Sequence, residues 1–205
     1  VREMLEAKAL SYRYGEDSSV LRNVSLRAAD GERLALLGLS GRGKSTLALL
    51  LAGYLPLQKG AITLDGAPLP KDCYNPVQLV YQHPEKAMDP RWKVGDTLRE
   101  AWDVPEELLA AIGAEPGWLT RWPHELSGGQ LQRLSILRAL SPKTRVLIAD
   151  EITASLDPIT QAQIWSVILQ EVEKHNMILI AITHNEALAQ RICTRMIHIE
   201  ELQGE

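Results

Sequence analysis

The spacing of apolar residues changes several times along the chain, and each change marks an expected element. From Val20 to Ala28 apolar and polar residues interleave, with Val20, Leu21, Val24, Leu26 and Ala28 as the apolar set. That spacing suits a half-buried antiparallel strand. A first strand is expected over residues 3–10, followed by Tyr12, Tyr14 and a polar turn at residues 15–19. Asp30-Gly31 is a hairpin signal, after which residues 32–37 are expected to return as a strand. A short strand is expected at residues 60–66 and a last one at residues 195–200. Val77–Tyr81, Arg145–Glu151 and Met177–Ile182 are strand-length apolar runs, and the last two read as fully buried, parallel-type strands.

Helical spacing appears elsewhere. Residues 44–53 predict a strongly apolar helix closed by Gly53. A second helix follows Ser127 to about Leu140, with an apolar face at Leu131, Leu134, Ile136, Leu137 and Leu140. A long helix is expected over residues 159–174 and a short one over 185–191. Residues 83–125 differ in character, with Pro84, Pro90, Pro105, Pro116 and Pro123 and four of the five Trp. Short helical patterns between the prolines make this a small helical insertion in an α/β core. Its aromatics suit either a core or a partner-facing surface.

Candidate chemistry sits where these runs end. Leu34–Leu37 leads into Gly38-Leu39-Ser40-Gly41-Arg42-Gly43-Lys44-Ser45-Thr46, a G-x-x-x-x-G-K-S loop between a strand and a helix. Gly38, Gly41 and Gly43 let the backbone take positive φ and approach a ligand closely. Such a loop turns successive N–H groups inward as an anion nest, and the following helix adds its positive dipole end. Lys44 can reach the β- and γ-phosphates of a nucleotide, and Ser45 can place a hydroxyl on Mg²⁺. Gln82 stands at the carboxyl end of the 77–81 strand, where ligands collect in open α/β sheets. Placement alone also allows a loop glutamine with no role. Asp150 and Glu151 end another strand. Beside a phosphate loop the first can organise Mg²⁺ and the second can act as general base or position water. His184 ends a third strand and is a catalytic or sensing candidate.

Two further stretches have a plain structural explanation as well. Leu126-Ser127-Gly128-Gly129-Gln130 is a second glycine-rich helix start able to hold an anion. It is equally a turn with Ser127 as N-cap. Ser155-Leu156-Asp157 leads through Pro158 into the long helix, and capping is sufficient for Asp157 on its own. The remaining histidines, His83, His124, His175 and His198, form no metal spacing.

Composition narrows the setting. The 205 residues suit one α/β domain. With 22 basic and 26 acidic residues the net charge is −4, which gives no global attraction to nucleic acid, and no such partner is expected. Cys73 and Cys193 form no C-x-x-C pair and are expected as free thiols in a reducing compartment. Residues 1–6 carry charges and no apolar h-region, so no signal peptide is expected. The longest apolar run, residues 47–55, is too short to span a bilayer. A membrane role therefore has to come through a partner chain.

These motifs, in this order, resemble the nucleotide-binding subunit of ATP-binding cassette (ABC) transporters over essentially the whole chain. Gly38–Thr46, including Ser40, resembles the Walker A loop, and Gln82 the Q-loop. Leu126–Gln130 resembles the LSGGQ signature, Val146–Asp150 Walker B, and Glu151 the catalytic glutamate. Ser155-Leu156-Asp157 resembles the D-loop and His184 the switch histidine. Tyr14, followed by Gly15, is similar to the aromatic that stacks on adenine; Tyr12 is the second candidate.

The resemblance implies a P-loop NTPase core with a mostly parallel sheet, an N-terminal antiparallel β subdomain and a small α-helical subdomain. Residues 1–82 and 142–205 would form the core and residues 83–141 the helical signature subdomain. It implies ATP and Mg²⁺ as ligands, with Ser45, Gln82 and Asp150 (through water) at the metal. It also implies a head-to-tail partner cassette, identical or different, whose site Ser127, Gly128, Gly129 and Gln130 would complete, with Asp157 beside them. Membrane permease subunits, and indirectly a solute-binding protein, would follow, with the chain peripheral on the cytoplasmic face of the inner membrane. Tyr81-Gln82-His83-Pro84, Met88-Asp89-Pro90, Trp122-Pro123-His124-Glu125 and residues 159–165 resemble the peptide and nickel importer branch. Ile152 departs from the family, which usually has Pro there, and the chain lacks the C-terminal extension common in that branch. A soluble ABC ATPase of a non-transport complex, such as a phosphonate-metabolism accessory, is the alternative.

Overall fold

The structure is a computed structural model that describes residues 4–15 and 18–203. Residue 3 of the expected first strand and residues 16–17 of the expected polar turn lie outside the described residues. In chain order the first elements are β1 (Met4–Tyr14), β2 (Ser18–Ala29), β3 (Arg33–Leu37), α1 (Lys44–Leu51), β4 (Lys59–Leu64), β5 (Ala67–Pro68) and β6 (Val77–Val80). Then come α2 (Val94–Ala101), α3 (Glu106–Ala111), α4 (Gly128–Ala139), β7 (Val146–Asp150) and α5 (Pro158–Lys174). The chain ends with β8 (Ile178–Ile182), α6 (Glu186–Ile192), β9 (Arg195–His198) and the short α7 (Ile199–Leu202).

Two sheets result. One is antiparallel, in the order β2-β1-β4-β5; the other is parallel, in the order β6-β7-β8-β3-β9. β1 and β2 pair as their alternation requires, with Leu5 opposite Ala28 and Ala7 opposite Leu26. The parallel strands are apolar on both faces because both faces are covered. Successive side chains point to opposite sides. Leu34, Leu36, Val146, Ile148, Ile178 and Ile180 pack with α1 and the antiparallel sheet. Leu147, Ala149, Leu179 and Ala181 pack with α4, α5 and the 94–126 segment.

The Asp30-Gly31 turn does not close the expected hairpin. Glu32 N–H donates to Ala29 O across the turn at 3.0 Å. The chain then leaves the antiparallel sheet and enters the parallel one as β3, between β8 and β9. The local turn chemistry is right, but it reverses the chain between sheets rather than within one. The C-terminal expectation is also corrected: the strand stops at His198, and residues 199–202 turn into α7 around the buried Ile199. The tryptophans of the 83–125 segment divide. Trp118 is buried and Trp102 donates its indole N–H to Leu137 O at 2.9 Å, whereas Trp92 and Trp122 are exposed.

The helix ends follow the sequence. Gly53, at φ 74°, closes α1: Tyr54 N–H donates to Leu49 O and Gly53 N–H to Leu50 O, the two bonds of a Schellman motif. Ser127 caps α4 by accepting from Gln130 N–H, and Gln130 returns the bond to Ser127 N–H, a capping box.

Arg145, at the entry to β7, joins the two sheets. Its guanidinium donates to both oxygens of Asp30 at 3.1 and 2.9 Å and lies 3.3 Å from Asp65 Oδ2. Asp30 sits in the β2–β3 turn and Asp65 in the β4–β5 turn, so one cation fixes two loops of the antiparallel sheet against the parallel one. Arg145→Ala is expected to lower the unfolding free energy by about 1–2 kcal/mol, for loss of a half-buried charged hydrogen-bond set. Urea unfolding checks this, and an unchanged midpoint would contradict it.

Candidate nucleotide-binding site

The four candidate positions meet because their strands are neighbours in register. Val80 of β6 pairs with Ala149 of β7, so Gln82 and Glu151 stand level, two residues beyond that pair. Asp150 of β7 and Leu36 of β3 both pair with Ile182 of β8. The carboxyl edge therefore carries, side by side, Gln82, Asp150-Glu151, Thr183-His184 and the loop that begins at Gly38. Neighbouring strands lie about 4.8 Å apart, so side chains bridge the gaps directly.

The loop of residues 38–46 is shaped for an anion. Gly38 (φ 137°) and Gly43 (φ 94°) take conformations that favour glycine. An added Cβ would also come within 2.7 Å of Ile199 at Gly38 and within 2.7 Å of Leu21 at Gly43. Gly43 is the N-cap of α1, whose first N–H groups follow the loop. Ser40 and Gly41 are exposed at its crest, and Thr46 is buried beneath it. Lys44 is only 7% exposed, and its ammonium donates to Gly38 O at 2.7 Å and Leu39 O at 2.9 Å. A largely buried cation held by carbonyls of its own loop is a counter-charge ready for phosphate.

Asp150 lies beside this cation. Burial pushes its carboxyl above the usual range, opposed by a hydrogen bond from the Ser45 hydroxyl; the Glu151 charge raises it further and Lys44 lowers it. Glu151 is the junction of the site. Its Oε2 accepts from Gln82 Nε2 at 3.3 Å, and its Oε1 lies 3.2 Å from His184 Nδ1. His184 also borders the cleft that holds Gly38, Leu39 and Ser40. A second cleft joins Gln82, Glu151, Gly128 and Ser155. One continuous surface thus runs from the phosphate loop through His184 and Glu151 to Gln82 and the start of α4.

The remaining candidates lie at its margins. Tyr12 is buried, while Tyr14 is 47% exposed, sits edge-on to Tyr12 and places its hydroxyl 3.5 Å from Thr46 Oγ1. Of the two tyrosines, only Tyr14 offers an open ring at the end of the loop. Ser127 and Gly128 are exposed, with open space where a Gly128 Cβ would stand, and Gly129 lies against Leu156. Gln130 is tied into the capping box. Asp157 accepts from Ile159 N–H and Thr160 N–H at 3.0 Å each. Hydrogen bonding to Thr160 above all holds its carboxyl below the usual range.

One contact escapes a reading by motifs. Gln132, buried in α4, donates its amide to Tyr81 O at 3.2 Å, directly before Gln82. The available signal was a glutamine among the buried positions of an amphipathic helix. Both cysteines are free, and burial pushes the Cys193 thiol up to about 12.

Comparison with known proteins agrees with this geometry. A family model described as ABC transporter matches residues 21–154. The nickel import system ATP-binding protein NikE of Staphylococcus aureus (strain COL) is 33% identical over 212 residues, covering 97% of this chain and 87% of the relative. A solved structure described as the ATP binding subunit of an ABC transporter superposes with a TM-score of 0.79 at 26% identity, over 95% of this chain and 85% of the other. The structure of cbiO1 from Clostridium perfringens, described as part of the ABC transporter complex cbiONQ, gives a TM-score of 0.75 at 25% identity, over 97% and 85%. The phosphate loop, the carboxylates at the end of β7 and the kinship of nearly the whole chain lead to one conclusion: the chain belongs to the ABC transporter family and is an ATPase.

Proposed function

We propose that the chain is the ATP-hydrolysing subunit of an importer for nickel, a metal chelate or peptide. Its near full-length similarity to a nickel import ATP-binding protein supports the importer reading. The contact of Glu151 with both Gln82 and His184 beside the phosphate loop carries the chemistry.

In this reading the amides of residues 38–46 and Lys44 hold the phosphates of ATP, Lys44 exchanging its loop carbonyls for phosphate oxygens. Tyr14 stacks on adenine. The hydroxyl of Ser45, the amide oxygen of Gln82 and the carboxylate of Asp150 are hard oxygen donors of the kind Mg²⁺ takes. Ser45 and Gln82 would hold the ion directly and Asp150 through water. When bound, Mg²⁺ neutralises charge on the β- and γ-phosphate oxygens. Glu151 polarises the attacking water, and His184 contacts the γ-phosphate. ATP and water become ADP and inorganic phosphate.

The same chain is half of a paired assembly. Ser127, Gly128, Gly129 and Gln130 present a second helix start that completes the site of a head-to-tail partner cassette, with Asp157 beside it. Closure of the pair excludes water, which strengthens every charge interaction inside. Residues 83–141 act as the helical signature subdomain, and residues 1–82 and 142–205 as the ATP-binding core. Residues near Lys86–Val94 are the docking surface for a membrane permease subunit. No helix of the described residues is long and apolar enough to cross a membrane. Docked on a permease in this way, the chain is peripheral, on the cytoplasmic face, and a solute-binding protein acts through the permease.

Glu151→Gln should keep ATP affinity while hydrolysis falls by about 100-fold or more, for loss of a positioned base. Lys44→Ala should weaken ATP binding. Nucleotide titration and phosphate release check both; near-normal turnover in the first or unchanged affinity in the second would contradict the assignments. Purification from membranes separates transport from an accessory role. Recovery with multi-span proteins is expected, whereas recovery with soluble enzymes alone would favour the non-transport complex.

A further inference from the structure

Between Glu151 and α5 runs a short connection whose two ends are explained by the site and whose middle is not. Glu151 itself sits at φ 50°, a left-handed conformation that is strained for a non-glycine residue. Strain of this kind persists only where the surroundings over-determine it. The Glu151 N–H donates to Ile182 O at 3.0 Å, which fixes one side. Two tight turns follow: Ala154 N–H donates to Glu151 O at 3.2 Å and Leu156 N–H to Thr153 O at 3.1 Å. Ile152 is buried but has no ring to restrict the backbone.

Thr153 holds the middle of the connection. It is 2% exposed, and its hydroxyl accepts from Gln161 Nε2 at 2.7 Å and from Trp165 Nε1 at 3.0 Å. Gln161 and Trp165 are four residues apart on α5 and so project from one face. An apolar residue at 153 would fill the same space. It would leave the buried Trp165 N–H unpaired and the Gln161 amide with only its longer bond to the residue-153 carbonyl, 3.5 Å. Beside this clamp Glu151, Thr153, Trp165, His184 and Leu188 line a small cavity. A loosened connection therefore has room to shift, carrying Glu151 with it.

We propose that Thr153, clamped by Gln161 and Trp165, is a positioning residue for Glu151. The clamp fixes the backbone from Glu151 to Asp157 on α5 and so holds the Glu151 carboxylate against Gln82 and His184. The inference rests on the reading of Glu151 as the residue that polarises water. Thr153 acts through that carboxylate and touches no substrate.

The test is the steady-state ATPase of the full chain carrying Thr153→Val, Thr153→Ser, Trp165→Phe or Glu151→Gln, with thermal melting and nucleotide affinity measured on each. Thr153→Val keeps the side-chain shape and removes the acceptor. It should lower kcat about tenfold or more with KM and ATP affinity unchanged, because a small misplacement of a reacting group is costly. Thr153→Ser should stay within about threefold of the parent, and Trp165→Phe should fall between the two. A Thr153→Val chain within about twofold of the parent kcat would overturn the proposal, as would a Thr153→Ser chain as slow as Thr153→Val. If Thr153→Val does not fold, Trp165→Phe decides, and a parent-like kcat there overturns the proposal. Loss of activity only in proportion to lost folded protein would also overturn it. Normal turnover by Glu151→Gln would instead remove the reading of Glu151 on which the proposal rests.

Discussion

The parallel ladders β6–β7, β7–β8 and β8–β3 set the heights of everything in the site. Val80 lies against Ala149, and Ile182 lies between Asp150 and Leu36. A slip of one residue would turn each side chain to the opposite face. Both faces are buried, in separate apolar clusters on the two sides, so the register is enforced from both sides. The polar residues appear where the strands leave those cores: Gln82 after β6, Asp150 and Glu151 at the end of β7, His184 after β8. Chemistry at the edge is therefore a consequence of apolar packing further in, which also fixes where the phosphate loop begins.

Much of this was legible in the sequence. Apolar runs such as Ile178–Ile182 have no polar face to offer water, so they demand a covered parallel sheet. Gly38–Thr46 states its geometry in its glycines, and Ser127 and Asp157 state theirs as caps. Pairing was less legible. Asp30-Gly31 specifies a reversal, but the partner of β3 is chosen by β8 and β9, far away in sequence. The stop at His198 followed by α7 depends on Ile199 finding the core beneath the phosphate loop, which no local pattern records. Among the tryptophans, composition could not separate Trp118, which is buried, from Trp92, which is not.

Buried polar contacts were the least legible. Gln132 reaches a carbonyl 51 residues away. Thr153 is met by two donors from the next helix. Each lies beside a motif, and each motif is complete on paper without it. Both join elements that the motifs treat separately: Gln132 ties α4 to the end of β6, and Thr153 ties α5 to the end of β7. Under the proposed pairing, α4 faces a partner's nucleotide while Gln82 and Glu151 face this chain's own. Gln132 then joins the two half-sites through one hydrogen bond, from its buried amide to the carbonyl before Gln82.

In the proposed mechanism one ATP lies along the carboxyl edge of β3, β8 and β7. A crystal structure of the Glu151→Gln chain with MgATP tests it most directly. The adenine is expected on Tyr14, with Lys44 moved from the carbonyls of Gly38 and Leu39 onto the phosphates. The terminal phosphate should lie near Gln82 and His184. A triphosphate bound elsewhere, with Lys44 still on its loop carbonyls, would contradict it.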